Sequence, residues 1–284
     1  LNPNWHPDWL IPQWPAPAGV RAVFTTRAGG QSPAPWGSLN LGDHVGDAPQ
    51  RVAVHRQALA LATACQPVFM QQVHGAGVLV LDRQNAALPG QVADAAVTRQ
   101  NALGCTIMVA DCLPVLLAHL DEPVVAAAHA GWRGLAGLAT GAQAEASVGV
   151  LDAVFSRFAA LAGQSPAQAA ARSIAWLGPC IGPSAFEVGA EVKAAMQAWH
   201  PGSDAFFVPL SGRGPSDAAP PKYLADLAGL ARMKLQALGL SGVYGNDGSA
   251  DWCTVSQPSS FFSHRRDAAF GRSTGRMAAC IWRL

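Results

Sequence analysis

Apolar residues along this chain come in short bursts rather than long helical stripes, and the densest burst lies near the middle. The longest apolar run, Leu103 to Leu120, is broken by Asp111 and His119, which reads as strands rather than a membrane span. Within it, Leu113 to Leu120 predicts a buried strand, Asp121-Glu122-Pro123 a turn, and Val124 to Ala128 the returning strand. Antiparallel pairing about that turn sets residue 129 opposite residue 113 or 114. Cross-strand Cβ atoms lie roughly 4.5 to 5.5 Å apart, so Cys112 and His129 meet at one sheet end, near enough to share a metal ion or a proton.

The flanking pattern predicts further elements. Val20 to Thr26 reads as a strand, followed by a long Gly/Pro/Ser loop from Arg27 to Gly42. Asp47-Ala-Pro49 is expected to cap a helix running to about Ala64, with Val52 and Leu59 inward. Short strands are predicted at Val68–Val73, Val78–Asp82 and Ala93–Thr98. A helical region from Trp132 to about Ala162 is weakened by Gly137, Gly141 and Gly149. Ser173–Leu177 reads as a strand and Glu187–Trp199 as a helix with Val188, Val192 and Met196 on one stripe. Ser211 to Pro221 reads as a mobile surface segment. Tyr223–Leu238 predicts an amphipathic helix stopped by Gly239. Late strands are expected around Val243-Tyr244, Phe261-Phe262 and Met277–Trp282. The βαβ rhythm is irregular and the central hairpin antiparallel, so a mixed α+β architecture over one domain, 1–284, is predicted.

Composition narrows the function classes. A net charge of +1 argues against a nucleic-acid surface built on phosphate neutralisation. The start lacks the basic and apolar regions of a signal peptide, and no segment anchors to a bilayer. Six cysteines without a Cys-x-x-Cys pair suit a reducing, cytoplasmic setting. No phosphate loop or dinucleotide fingerprint is present, and no pattern specifies an oligomeric state.

The chemistry-bearing candidates are His74, Cys112 and His129. Zinc takes His nitrogen and Cys thiolate, and a catalytic site uses three protein ligands with a fourth position open. The hairpin supplies two, and His74, on a Gly-flanked strand end, is a candidate third. The same Cys and His could act without metal, as a nucleophile and its base oriented by Asp94 or Asp111. Spacing alone does not separate these uses. Arg27, Arg133 and the cluster His264-Arg265-Arg266-Asp267 with Arg272 and Arg276 could hold an anion. His6, His55, His119 and His200 read as packing or surface residues.

Several motifs then occur together in order: Thr25-Thr-Arg27-Ala-Gly-Gly30, Ser38-Leu-Asn40-Leu-Gly42 with His44-Val-Gly-Asp47, Gln72-Val-His-Gly75, Asp94-Ala-Ala-Val-Thr98, Asp111-Cys-Leu-Pro-Val115, His129-Ala-Gly-Trp-Arg-Gly134, Gly178-Pro-Cys-Ile-Gly182 with Phe186-Glu-Val-Gly189, Cys253-Thr254, and Ser263-His-Arg-Arg-Asp267 with Thr274-Gly-Arg276. From about residue 20 onward the chain resembles the YfiH family, whose members have been labelled laccase-domain proteins, polyphenol oxidoreductases and purine nucleoside phosphorylases. The resemblance implies a fold of largely antiparallel sheets flanked by helices, similar to the catalytic domain of a cytotoxic necrotizing factor. It implies a zinc ion on His74, Cys112 and His129, and phosphorolysis of adenosine, inosine, guanosine and methylthioadenosine, with adenosine deamination besides. The implied partners are a small nucleoside and phosphate, for which Arg27, Asn40, His44, Arg133 and Arg266 are the candidate contacts.

The oxidase label fits the residues poorly. A His₂Cys set imitates a blue copper centre, so Cu²⁺ is an alternative ion. A laccase also needs a trinuclear copper cluster, and this chain has eight His and no His-x-His pair. The usual cytidine-deaminase zinc signature is absent too, so deamination would draw on water activated at the His74, Cys112 and His129 site. Competing readings are a Cys/His hydrolase or deamidase acting on peptidoglycan precursors, and a non-enzymatic, metal-dependent editing factor.

Overall fold

The strands Leu103–Val109, Leu113–His119 and Val125–Ala130 are buried from end to end, because the sheets that contain them are covered on both faces. The structure is a computed structural model that describes residues 5–138, 148–210 and 220–284. Leu113–His119 and Val125–Ala130 sit centrally in a six-stranded sheet. Its spatial order is Gly242–Gly245, Ser173–Leu177, Leu113–His119, Val125–Ala130, Ala95–Thr98 and Val78–Val80, with only the two outermost pairs parallel. A four-stranded sheet orders Val20–Phe24, Met277–Arg283, Leu103–Val109 and Gln66–Val68.

Alternation decides which side chain enters which layer. Leu116, Ala118, Val125, Ala127 and Trp176 pack onto Phe24, Ile107, Ala279 and Ile281 of the four-stranded sheet. Val115, Leu117, Ala126 and Ala128 face the opposite way, into the helices Val150–Ala162, Pro166–Ala171, Ala190–Trp199 and Leu227–Ala237. The outer face of the smaller sheet, with Val23, Ala278 and Trp282, is covered by Leu59 and Ala62 of helix Pro49–Thr63 and by Leu39 and Leu41. Near-continuous apolar runs are what such doubly covered strands require. Mixed sheets with antiparallel pairs predominating, flanked by helices, make this an α+β fold.

Local departures from the sequence reading have physical causes. Glu187–Trp199 is not one helix: Glu187–Gly189 is a strand paired through Val188 with Tyr223, and the helix starts at Ala190. Likewise Lys222–Ala225 is a strand of the same three-stranded sheet, and Asp226 caps helix Leu227–Ala237 by accepting from the Gly229 N–H. Val188, Val192 and Met196 share a helical spacing by coincidence, since strand pairing captures the first. Asp47 does not cap helix Pro49–Thr63. Its carboxylate instead accepts from the Ser32 hydroxyl at 2.5 Å and the Asn40 amide at 3.0 Å. The strand expected over Val68–Val73 ends at Val68, which frees the chain to form the loop carrying His74. Phe261 and Phe262 are buried but form no strand. In the 132–162 region, helix Trp132–Ala136 ends at Gly137 (φ 76°) and helix Val150–Ala162 begins after Gly149; Gly141 and most of the segment expected to be mobile lie outside the described residues.

Candidate metal centre and active site

Pro114 pairs with His129 across the hairpin, so His129 arrives beside the residue that precedes the first strand, Cys112. The third side chain comes from the loop after Gln71. Its backbone is shaped by one buried carboxylate: Asp94 accepts the N–H groups of Val73 (3.2 Å), His74 (2.9 Å) and Gly75 (2.8 Å). Three successive N–H groups converging on an anion form a nest, and a nest requires a left-handed residue. His74 adopts it at φ 63°. Asp94 also accepts His129 Nδ1 at 2.8 Å. One carboxylate thus orients two imidazoles.

Asp111, which positions Cys112, is left-handed as well, at φ 95°. Its carboxylate accepts the Thr254 hydroxyl and the Arg265 N–H, each at 2.6 Å, so that the strained backbone is held by the C-terminal region. Asp94, not Asp111, is the partner of His129.

The donor atoms of His74, Cys112 and His129 lie within 4.8 Å of one another, and among the described residues they form the one such cluster that could hold a metal ion. Cys112 Sγ is 3.7 Å from His74 Nε2. A tetrahedral ion with bonds of about 2.3 Å to sulfur and about 2.0–2.1 Å to nitrogen sets that separation at about 3.6 Å. Asp94 occupies His129 Nδ1 and leaves Nε2 for an ion, the usual carboxylate–histidine support of a metal ligand. The residues fit a three-ligand site. Met108, the methionine of the cavity wall, has its sulfur 3.7 Å from Arg56 Nη2.

Without an ion the pair is electrostatically coupled. Burial raises the Cys112 thiol, but the His129 charge and hydrogen bond, followed by His74, outweigh burial and bring it down to about 6. Burial likewise opposes the His129 cation, and the Cys112 thiolate and Asp94 overcome that and lift it to about 9. Asp94 is held below the ordinary carboxylate range. Burial would raise it, and the His129 hydrogen bond and charge with the nest N–H groups more than compensate.

The trio opens onto a cavity of about 350 Å³. His44 and Arg133 of the anticipated phosphate contacts line it. Arg27, Asn40 and Arg266 do not, because their polar groups are committed elsewhere. Arg27 donates to the carbonyls of Gly37 and Pro258; Arg266 donates to those of Thr254 and Phe261 and pairs with Asp267. Asn40, buried, bonds to Gly42 and Asp47 and accepts the Arg276 N–H. Arg265 and Arg276 of the C-terminal cluster do line the cavity, as do Gln72, Ile181, Phe186 and Leu227. Ile181, Phe186 and Leu227 carried no chemical signal of their own, because an apolar cavity wall reads in sequence like core, though Gln72, Ile181 and Phe186 each fall within one of the quoted motifs.

Comparison with known proteins identifies the family. A family model described as "Multi-copper polyphenol oxidoreductase laccase" matches residues 21–284. A purine nucleoside phosphorylase of Pseudomonas aeruginosa is 41% identical over 276 residues, covering 96% of this chain and 98% of its own. Purine nucleoside phosphorylase YfiH of Escherichia coli is 41% identical over 275 residues with the same coverage. Among solved structures, a Neisseria meningitidis protein superposes with a TM-score of 0.80 at 39% identity, covering 97% of this chain and 99% of that one. YlmD of Geobacillus stearothermophilus gives 0.75 at 29%, covering 95% and 93%. The chain belongs to the YfiH family of laccase-domain proteins.

Proposed function

We propose that this protein is a zinc-dependent purine nucleoside phosphorylase acting on adenosine, inosine, guanosine and methylthioadenosine, with adenosine deaminase activity at the same site. The observation that carries the reading is the His74, Cys112 and His129 cluster at the wall of a cavity that is apolar along Ile181, Phe186 and Leu227 and basic at Arg276 and Arg133. The names of the relatives support the phosphorylase assignment. In the reaction an oxygen of orthophosphate attacks ribose C1′, the C1′–N9 bond breaks with its electron pair passing to the base, and the base takes up a proton. The products are ribose 1-phosphate and free purine.

A bound zinc ion would supply Lewis acidity, for charge developing on the substrate or for activating water in deamination. The chain's own residues do the rest. Asp94 fixes the tautomer and orientation of His129, and the nest at 73–75 fixes His74. Ile181, Phe186 and Leu227 offer an apolar surface for a purine and exclude water from the reacting bond. Redox catalysis by a multicopper cluster is disfavoured, because all eight histidines are described and only His74 and His129 join a metal-binding group. We place the enzyme in the cytoplasm, with nucleoside and phosphate rather than nucleic acid or membrane as partners. Six free cysteines agree with a reducing compartment, and among the described residues no helix is long and apolar enough to cross a membrane.

Metal analysis combined with an inosine-plus-phosphate assay tests the proposal. Stoichiometric zinc with hypoxanthine and ribose 1-phosphate as products is expected, and both should be lost in Cys112→Ala. Turnover that survives zinc removal would refute it.

One observation favours a second reading, a Cys/His hydrolase: Cys112, His129 and Asp94 form a thiolate–imidazolium–carboxylate line. Iodoacetamide separates the two uses. A metal-held thiolate is protected until chelator is added, whereas a free nucleophile reacts at once.

A further inference from the structure

Phosphorolysis needs a receptor for a dianion, and the arginines near the cavity differ in what their guanidinium groups already hold. Arg27 and Arg266 are committed to carbonyls and to Asp267. Arg56 pairs with Asp43 at 3.2 Å and donates to the Leu41 carbonyl. Arg265 is exposed and donates to the Glu187 carbonyl. Arg133 is exposed and lies over the Trp132 ring.

Arg276 is unlike these. It is partly buried and lines the cavity, yet among the described residues it has no carboxylate partner. Among the described residues only one of its guanidinium nitrogens, Nη1, is engaged, with the Thr274 and Gly275 carbonyls at 3.1 Å. Nε and Nη2 have no hydrogen-bond acceptor among the described residues.

Its backbone and stem, by contrast, are held firmly. The Arg276 N–H donates to Asn40 Oδ1 at 2.9 Å, and the Leu41 N–H donates to the Arg276 carbonyl at 3.0 Å. Gly42 packs so closely that a Cβ there would lie 2.7 Å from Arg276 Cγ. The motif residues Asn40 and Gly42 therefore position Arg276, and His44, on the same loop, lines the cavity beside it. Cys112 and Asp111 act on this guanidinium only through space, and a desolvated guanidinium on a fixed stem with no anion in contact among the described residues is costly unless one completes it. The free Nε and Nη2 edge suits two oxygens of one phosphoryl group.

We propose that Arg276 anchors orthophosphate in this cavity, with His44 beside it, an inference that rests on the phosphorylase reading above. Arg276 holds the phosphate on the same cavity as the metal trio, so the attacking oxygen and the departing purine are served by different groups. The 5′-phosphate of a nucleoside monophosphate presents the same oxygens, and the test separates that source from free phosphate.

Initial rates with inosine and phosphate varied independently are to be compared for the natural protein, Arg276→Met and Arg276→Lys, with zinc content measured on each. Arg276→Met should raise the KM for phosphate about ten- to hundred-fold, as loss of a charged hydrogen-bond partner implies. The KM for inosine and the zinc content should stay within about two-fold, and Lys should recover part of the loss, since it keeps the charge without the fork. An unchanged phosphate KM, or an equal rise in both KM values, overturns the inference. So does a selective loss of inosine 5′-monophosphate binding with phosphate KM unmoved. Should the natural protein show no phosphorolysis, the activity reading fails, and calorimetry with orthophosphate on the zinc-loaded protein decides the site. Binding that vanishes in Arg276→Met supports it, and equal or absent binding overturns it.

Discussion

Asp94 and His129 are joined twice: the Asp94 carboxylate accepts His129 Nδ1 at 2.8 Å, and the His129 backbone N–H donates to the Asp94 carbonyl at 2.7 Å. Because the same carboxylate gathers the N–H groups of residues 73 to 75, strand, hairpin and loop are referenced to one buried group. Replacing it with Asn keeps size but lowers acceptor capacity and charge. Asp94→Asn should weaken zinc binding about 10–100-fold, as read by competition with a chelator of known affinity, while Asp121→Asn, at an exposed ion pair with Arg172, should leave it unchanged.

Proton release on metal binding has a defined sign. With His129 raised to about 9 and Cys112 lowered to about 6, the metal-free pair is thiolate and imidazolium at pH 7.5, and an ion displaces the imidazolium proton. Titration calorimetry in buffers of different ionisation enthalpy should show about one proton released from this pair at pH 7.5. That release falls away above pH 9, as His129 becomes neutral, and grows below pH 6, as Cys112 takes up a proton. Affinity therefore rises with pH up to about 9. A neutral thiol beside a neutral imidazole would also release one proton at pH 7.5, so thiolate ultraviolet absorbance of the metal-free protein identifies the pair: it should persist down to about pH 6, and its loss already near the ordinary thiol value would show the pair is not coupled.

Two glycines should separate site geometry from fold stability. A Cβ on Gly131 would lie 3.0 Å from His74 Cδ2 and 3.1 Å from Cys112 Sγ, whereas one on Gly134 would lie 2.8 Å from the Gly75 carbonyl oxygen. Gly131→Ala should press on two ligands and lower zinc affinity with little change in the metal-free unfolding midpoint. Gly134→Ala pushes on backbone and should cost about 1–3 kcal/mol of stability, measured by denaturant unfolding of the metal-free protein.

The legible parts of the molecule were those written in local pattern. The hairpin register that sets His129 opposite Pro114 follows from an unbroken apolar run, a turn and a return, all within eighteen residues. Strand Glu187–Gly189 was hidden because its partner, Lys222–Ala225, lies far along the chain, while its apolar spacing mimics a helix turn. Among the arginines, sequence could not rank Arg276 above Arg27, because the difference is what each guanidinium is bonded to. Asp94 was legible only as one of two candidate partners for a histidine. The nest that makes it the organiser depends on a left-handed His74, which no composition rule signals.

The central claim, that one ion is held by His74, Cys112 and His129, is tested most directly by X-ray absorption at the zinc edge of the loaded protein. The account predicts one sulfur at about 2.3 Å and two imidazole nitrogens at about 2.0–2.1 Å, with the sulfur shell absent in Cys112→Ser. A first shell of nitrogen and oxygen alone in the natural protein, or one imidazole instead of two, would contradict it.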